Sequence, residues 1–359
     1  MRFTSLIVEQ LDRAASELHA DHEIGNRLAL ILVDNATELL VHRQCSDLLE
    51  MHEWHAALYA RYQRVVPGAM LNELDQSESI LSKLLLPKQL ARAKGRSLPD
   101  KLHVLRQIGD ITAEEHQFIA TAHNYRNELY HAGLTHDHIV RAVASQYFLL
   151  CCELFSRMKN HGFFGMTMSS EDNYSEIFRK YLGVSDDQTL IIGVDRKALS
   201  GQLLAALPSD LPSLPATLTS SAHDYIKELS DNFEFVIQNN PQALDADQVL
   251  ALIQWQRDLA FELGRANLLD RKLSTEEESQ LADVAKRIAR DWKQRFRTVP
   301  YKSWRVRASR LANELNPLIA MKKYEDLRGE MRYLEDALEP AVDAVDQWVQ
   351  SEIDRRRGK

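Results

Sequence analysis

Apolar residues recur along most of this chain at intervals of three and four, the period of an α-helix. Ser5 to Ala20 carries Leu6, Ile7, Leu11, Ala14, Ala15 and Leu18 in that rhythm, and Ile24 to about Tyr62 reads as one long apolar helix or a pair. Asp34, Glu38 and His42 recur every four residues on one face of that segment. The pattern is either a solvated face or a stripe turned toward a site. Val66-Pro67-Gly68 marks a turn. Ser77 to Ala93 predicts a short helix, Lys94 to Pro99 a loop, and Leu102, Leu105 and Ile108 another short helix.

The clearest helix follows. Thr112 and Glu115 form a capping-box pair, and Gly133 supplies a residue free to take the left-handed conformation that closes a helix. Between them lie about 19 residues, roughly 28 Å of helix. Phe118, Ile119, Ala122 and Leu129 suit a core. His116, His123, Asn127 and His131 form a polar stripe, with Arg126 beside it and Tyr130 one turn on. Asp137 to Lys159 adds a further helix through Ile139, Val143, Tyr147, Leu150, Cys151 and Leu154. Five helices packed as a bundle account for residues 1–165.

Residues 166–219 break the pattern. Thr189 to Val194 suggests one short strand, and Pro208, Pro212 and Pro215 predict an extended linker with the domain boundary there. Residues 220–359 are helical again: Ala222 to Gln238, Ala246 to Leu269, and a helix from the Ser274/Glu277 capping box to about Arg297. Tyr324, Leu327, Met331, Leu334, Leu338, Ala341, Val345 and Trp348 then form a heptad seam. That seam fits a coiled-coil contact with a partner or a long helix packed inside its own domain. Pro340 predicts a kink or a fresh start. The fold class is all-α: an N-terminal bundle and a C-terminal helical domain with a long heptad-patterned last helix.

Composition adds limits. The 359 residues are enough for two domains, and 45% hydrophobic with 27% charged is the balance of a globular protein. No apolar run reaches the ~18 residues of a membrane span, which argues against a membrane partner. Cys45, Cys151 and Cys152 are odd in number and two are adjacent, which suits a reducing, cytoplasmic setting. The net charge of −8 excludes uniform coating of nucleic acid and leaves room for a local basic patch.

One such patch exists. Lys286 to Arg310 holds ten basic residues, among them Arg290, Lys293, Arg295, Arg297, Lys302, Arg305 and Arg307, against the single acid Asp291. Trp292, Phe296, Tyr301 and Trp304 interleave. The composition fits an RNA surface, with cations on phosphates and rings on bases. It equally fits a basic amphipathic helix whose aromatics are its core stripe.

The element Arg126-Asn127-Glu128-Leu129-Tyr130-His131 sits at the end of the capped helix, downstream of Asp34-Asn35-Ala36-Thr37-Glu38-Leu39-Leu40. In these features the first 160 or so residues resemble the HEPN superfamily, helical domains many of which are ribonucleases with an R-x4-6-H motif. The resemblance implies a metal-independent endoribonuclease with no cofactor, acting as a toxin or defence effector. It also implies a homodimer that brings two such motifs around one cleft, and a possible protein inhibitor or activator. Arg126 and His131 would be the active pair, Asn127 a third member, and Asp34, Glu38 and Tyr130 would support them.

The chemistry fits those residue types. Attack by a 2′-OH needs proton transfer near neutral pH, which histidine provides, and a fixed cation on the phosphate, which arginine provides. On that mechanism the substrate would be RNA, because DNA lacks that hydroxyl. In some relatives a tyrosine two residues after the histidine is modified to silence the toxin; here Gly133 stands there. Two other readings stay open. Arg126 and His131 could be a structural pair in a non-catalytic, dimerising interaction or RNA-binding module. His131, His136, Asp137 and His138 could hold a metal, although their spacing matches no common closed site.

Overall fold

The computed structural model describes residues 2–65, 84–131, 137–157, 180–181, 195–240, 242–265, 282–283, 286 and 290–357, without the side chains of 2, 62–65, 130, 131, 137 and 265. The described residues form eleven α-helices and no strand. The chain is all-α, as the periodicity predicts. The Thr189–Val194 segment, the Val66–Gly68 turn and the Ser274/Glu277 capping box lie outside the described residues. The chain divides into two compact units, Met1–Leu214 and Pro215–Lys359.

The first unit contains α1 (Arg2–Ala20), α2 (Glu23–Val65), α3 (Pro87–Lys94), α4 (Leu98–Gln107), α5 (Ala113–His131), α6 (Asp137–Arg157) and α7 (Arg196–Ala205). The long α2 is its axis and packs against α1, α3, α4, α5 and α6. Ile7, Val8, Leu11, Ala14, Ala15 and Leu18 of α1 are buried, whereas Leu6, expected in that stripe, is 37% exposed. Helix α5 starts at the predicted capping box: the Glu115 amide donates to Thr112 Oγ1 (3.1 Å) and the Thr112 amide to Glu115 Oε2 (2.7 Å). Phe118, Ile119, Ala122 and Tyr125 then face the core. Helix α6 is apolar and long enough to span a bilayer by composition, and 72% of that stretch is buried within the protein.

One segment departs from the expected irregular linker. Residues 196–205 form α7, which packs on α6 and α1 through Leu199 and Leu203. Asp195 caps it, accepting from the amides of Lys197 (2.9 Å) and Ala198 (3.0 Å). Ser200 Oγ bonds the Cys152 carbonyl at 2.9 Å. The flanking prolines and the short apolar set Leu199, Leu203 and Leu204 hid this helix, and the Asp195 cap was the available signal.

The second unit is built on α8 (Leu214–Asn239), α9 (Ala246–Arg265), α10 (Tyr301–Leu311) and α11 (Pro317–Arg356). Helix α8 begins within the expected linker, because Pro215 is tolerated in a first turn. Helix α11 packs against α9 and α10. Its seam is buried at Tyr324, Leu327, Met331, Leu334 and Leu338, so that stretch belongs to the core of its own unit. The seam fades toward Trp348, which is 42% exposed. The helix runs through Pro340 without a break.

Candidate functional site

Two neighbouring helices of the first unit bring polar side chains together. Asp34 and Glu38 stand one turn apart on α2, and His123, Arg126 and Asn127 occupy one face of α5. Asp34 is wholly buried among Leu30, Val33, Thr37 and the other inward residues of α2, an environment that demands compensation for a carboxylate. The compensation comes from three sides. Tyr147 on α6 donates its hydroxyl to Oδ1 at 3.0 Å, His123 Nδ1 lies 3.0 Å from Oδ2, and Arg126 Nε forms an ion pair with Oδ2 at 3.5 Å. Glu38 Oε1 lies 3.2 Å from the same His123 nitrogen. The Arg126 fork is oriented by two amide oxygens, with NH1 donating to Asn127 Oδ1 (3.0 Å) and NH2 to Asn35 Oδ1 (3.1 Å). Its side chain remains 22% exposed.

The electrostatics follow from this crowding. The hydrogen bond to Asp34 raises the His123 pKa above its usual value; burial opposes the rise, and Arg126 opposes it weakly. Burial first, then the Asp34 charge, raise the Glu38 carboxyl above the usual carboxylate range. Burial pushes the Tyr147 phenol far up, so it serves as a fixed donor. With Nδ1 held by the two acids, His123 keeps Nε2 as its exchangeable ring nitrogen. The arrangement therefore offers a fixed guanidinium and an acid-held imidazole three residues apart on one helix.

Of the sequence-derived site, Arg126, Asn127, Asp34 and Glu38 converge. The side chains of Tyr130 and His131 lie outside the described residues, although α5 itself extends through His131. His123 is the residue that sequence reasoning passed over. Its signal was its place in the polar stripe, four residues before Asn127, and what went unread was its partner 89 positions away.

Asp34, Glu38 and His123 also bring ligand-type atoms within 4.8 Å of one another. The donor set could take a divalent ion by type. Arg126 already places a permanent cation on Asp34, which opposes a second one there. Of the His131–His138 cluster, only the His138 side chain is described, exposed at the start of α6.

The basic stretch belongs to the second unit. It is not one helix: the expected helix to Arg297 ends at Asp291, and residues 292–300 are irregular. Side chains fix that loop. Trp292 Nε1 donates to Asp258 (2.9 Å), and Gln254 bonds both the amide and the carbonyl of Phe296 (2.8 and 3.0 Å). Of the aromatics, Trp304 is buried, and Trp292, Phe296 and Tyr301 are half-buried. Trp304 is 1% exposed with Nε1 donating to Glu330 (3.0 Å), Tyr301 donates to the Leu229 carbonyl (2.9 Å), and Phe296 packs edge-on to Trp304 and Tyr333. Stacking of bases on these rings, one of the two open readings, is thereby excluded for Trp304.

The cations divide. Arg290 binds Asp291, Arg307 binds Glu330 (2.7 Å), and Arg295 lies over the Tyr333 ring at 4.4 Å. Lys293, Arg297, Lys302 and Arg305 are exposed. Lys302, Arg307 and Arg310 line an open surface depression with Pro300 and Ser303.

No family model, curated protein or solved structure matches this chain.

Proposed function

We propose that the first unit is a metal-independent endoribonuclease of the HEPN type, acting on RNA as a toxin or defence effector. The observation that carries this reading is the placement of Arg126. Three side chains from two helices fix the orientation of its guanidinium while part of it stays accessible. A preorganised cation of this kind stabilises charge that develops on a phosphate. His131 lies five residues on along the same helix, a rise of ~7.5 Å. A protonated imidazole there would be suited to protonating the leaving 5′-oxygen. The base that takes the 2′-OH proton would come from the same motif of a second copy, across a homodimer. The exposed cations Lys293, Arg297, Lys302 and Arg305 of the second unit would hold the RNA backbone.

A second reading is favoured by one specific feature. Both terminal nitrogens of Arg126 already face side-chain acceptors within the chain, Asn35 and Asn127. A non-catalytic dimerising or RNA-binding module would need no more than that.

RNA cleavage by the purified protein in EDTA separates the two. On the ribonuclease reading, cleavage persists in EDTA and leaves 2′,3′-cyclic phosphate ends. Arg126→Ala or His131→Ala each lowers the rate by about a hundredfold or more. Absence of cleavage while RNA or a protein partner still binds selects the module. Cleavage abolished by EDTA sinks the metal-independent mechanism.

A further inference from the structure

A cavity of about 300 Å³ opens where α2, the turn after α4, the start of α5 and the end of α6 meet. Its size is at the small end of ligand sites. Leu40, Val41, Leu105, Ile111 and Leu154 make its apolar wall. Five polar side chains line it as well, Thr112 being the one that caps α5. Glu115 and Arg157 neutralise each other across 2.6 Å. Asp110 and Gln44 are different. Gln44 is 7% exposed; its Nε2 donates to Asp110 Oδ2 at 2.9 Å, and its buried Oε1 accepts no hydrogen bond. Asp110 carries the charge that the Glu115–Arg157 pair leaves uncompensated on the rim.

The sequence builds this corner deliberately in one respect. Gly109 adopts φ +82°, and the Asp110 amide reaches back to the Leu105 carbonyl at 2.9 Å. This helix-closing turn requires a residue at ease in the left-handed region, and it delivers Asp110 to Gln44. A buried acceptor without a donor is costly, and native interiors rarely keep one. Here Gln44 keeps that acceptor beneath the surface and turns its amide nitrogen to Asp110, the carboxylate on the rim of the apolar hollow.

We infer that this cavity is a binding site for a small amphipathic cation: an apolar single-ring body against Leu40, Val41 and Leu154, with an ammonium or amidinium head donating to the Asp110 carboxylate. The site is separate from the Arg126 cluster, and its occupancy is read without RNA. Failure of the ribonuclease reading therefore leaves it untouched.

Isothermal titration of the 359-residue chain with phenethylamine tests it, with phenylacetate and phenethyl alcohol as isosteric anionic and neutral probes. The amine is expected to bind at one site at least tenfold more tightly than either control. Asp110→Asn keeps an acceptor for Gln44 Nε2 and removes the charge, so it should weaken the amine by about tenfold to a hundredfold and leave the alcohol unchanged. Leu154→Trp, which fills the hollow, should abolish binding, with helix content by circular dichroism showing that the bundle persists. Equal affinity for amine, acid and alcohol, or an amine affinity indifferent to Asp110→Asn, overturns the cationic head. Binding that survives Leu154→Trp places the probe elsewhere and overturns the site.

Discussion

Asp34 concentrates the energetics of the first unit in one carboxylate. It has no exposed surface, and its charge is tolerated because Tyr147 approaches from α6 and His123 and Arg126 from α5. Tyr147→Phe keeps the ring and removes only the donor to Oδ1. Such a loss at a buried charged group costs about 1–3 kcal/mol, read as a lower urea midpoint with an unchanged slope. His123 adds a pH dependence of definite sign. Its folded pKa is raised above the ordinary value near 6.5. Its contribution is therefore complete below pH 6.5 and is lost as pH rises through the folded pKa. His42 and His116 are shifted the other way by burial, so the bare stability profile mixes opposed effects. The measurable quantity is the difference between wild type and His123→Gln. It should be largest below pH 6.5 and shrink toward alkaline pH; a difference that grows as pH rises would reject the His123–Asp34 pair as its source.

At the scale of elements, the signals that were legible in sequence are those in which cause and consequence lie within one turn. Thr112 and Glu115 close a reciprocal cap at the expected place, and Thr112→Ala should cost about 1 kcal/mol in thermal or denaturant unfolding. The heptad seam of α11 was equally readable, because six of its positions, Val345 included, are buried in the order the pattern predicts. What the sequence could not show is what crosses between elements. The end of the basic helix at Asp291 depends on Asp258 and Gln254 of α9, more than thirty positions upstream, which capture Trp292 and the Phe296 backbone. The aromatic spacing there admitted two explanations, and burial assigns one ring, Trp304, to the core. The candidate site divides in the same way. Arg126 and Asn127 were visible as a local motif. His123 acquires a role only through Asp34, a residue on another helix.

At the scale of the whole molecule, the two units have separate cores, and this has a thermodynamic consequence. In Pro215–Lys359, Trp304 is the largest fully buried side chain and also satisfies its indole nitrogen on Glu330. The same carboxylate takes Arg307, so removal of the indole leaves a cavity and loosens a charged pair. Trp304→Ala should cost about 3–5 kcal/mol within that unit. Hydrogen exchange resolved by segment provides the check. Amides of α8, α10 and α11 should lose protection together, while those of α2 and α6 keep theirs. Loss of protection in α2 of the same size would show that the chain unfolds as one cooperative body, and it would then be wrong to assign the substitution's cost to one unit. Preserved protection in α2 would make it possible to disable the second unit's basic surface by substitution without disturbing the Asp34–Arg126 cluster, the condition under which RNA binding and RNA cleavage can be measured apart.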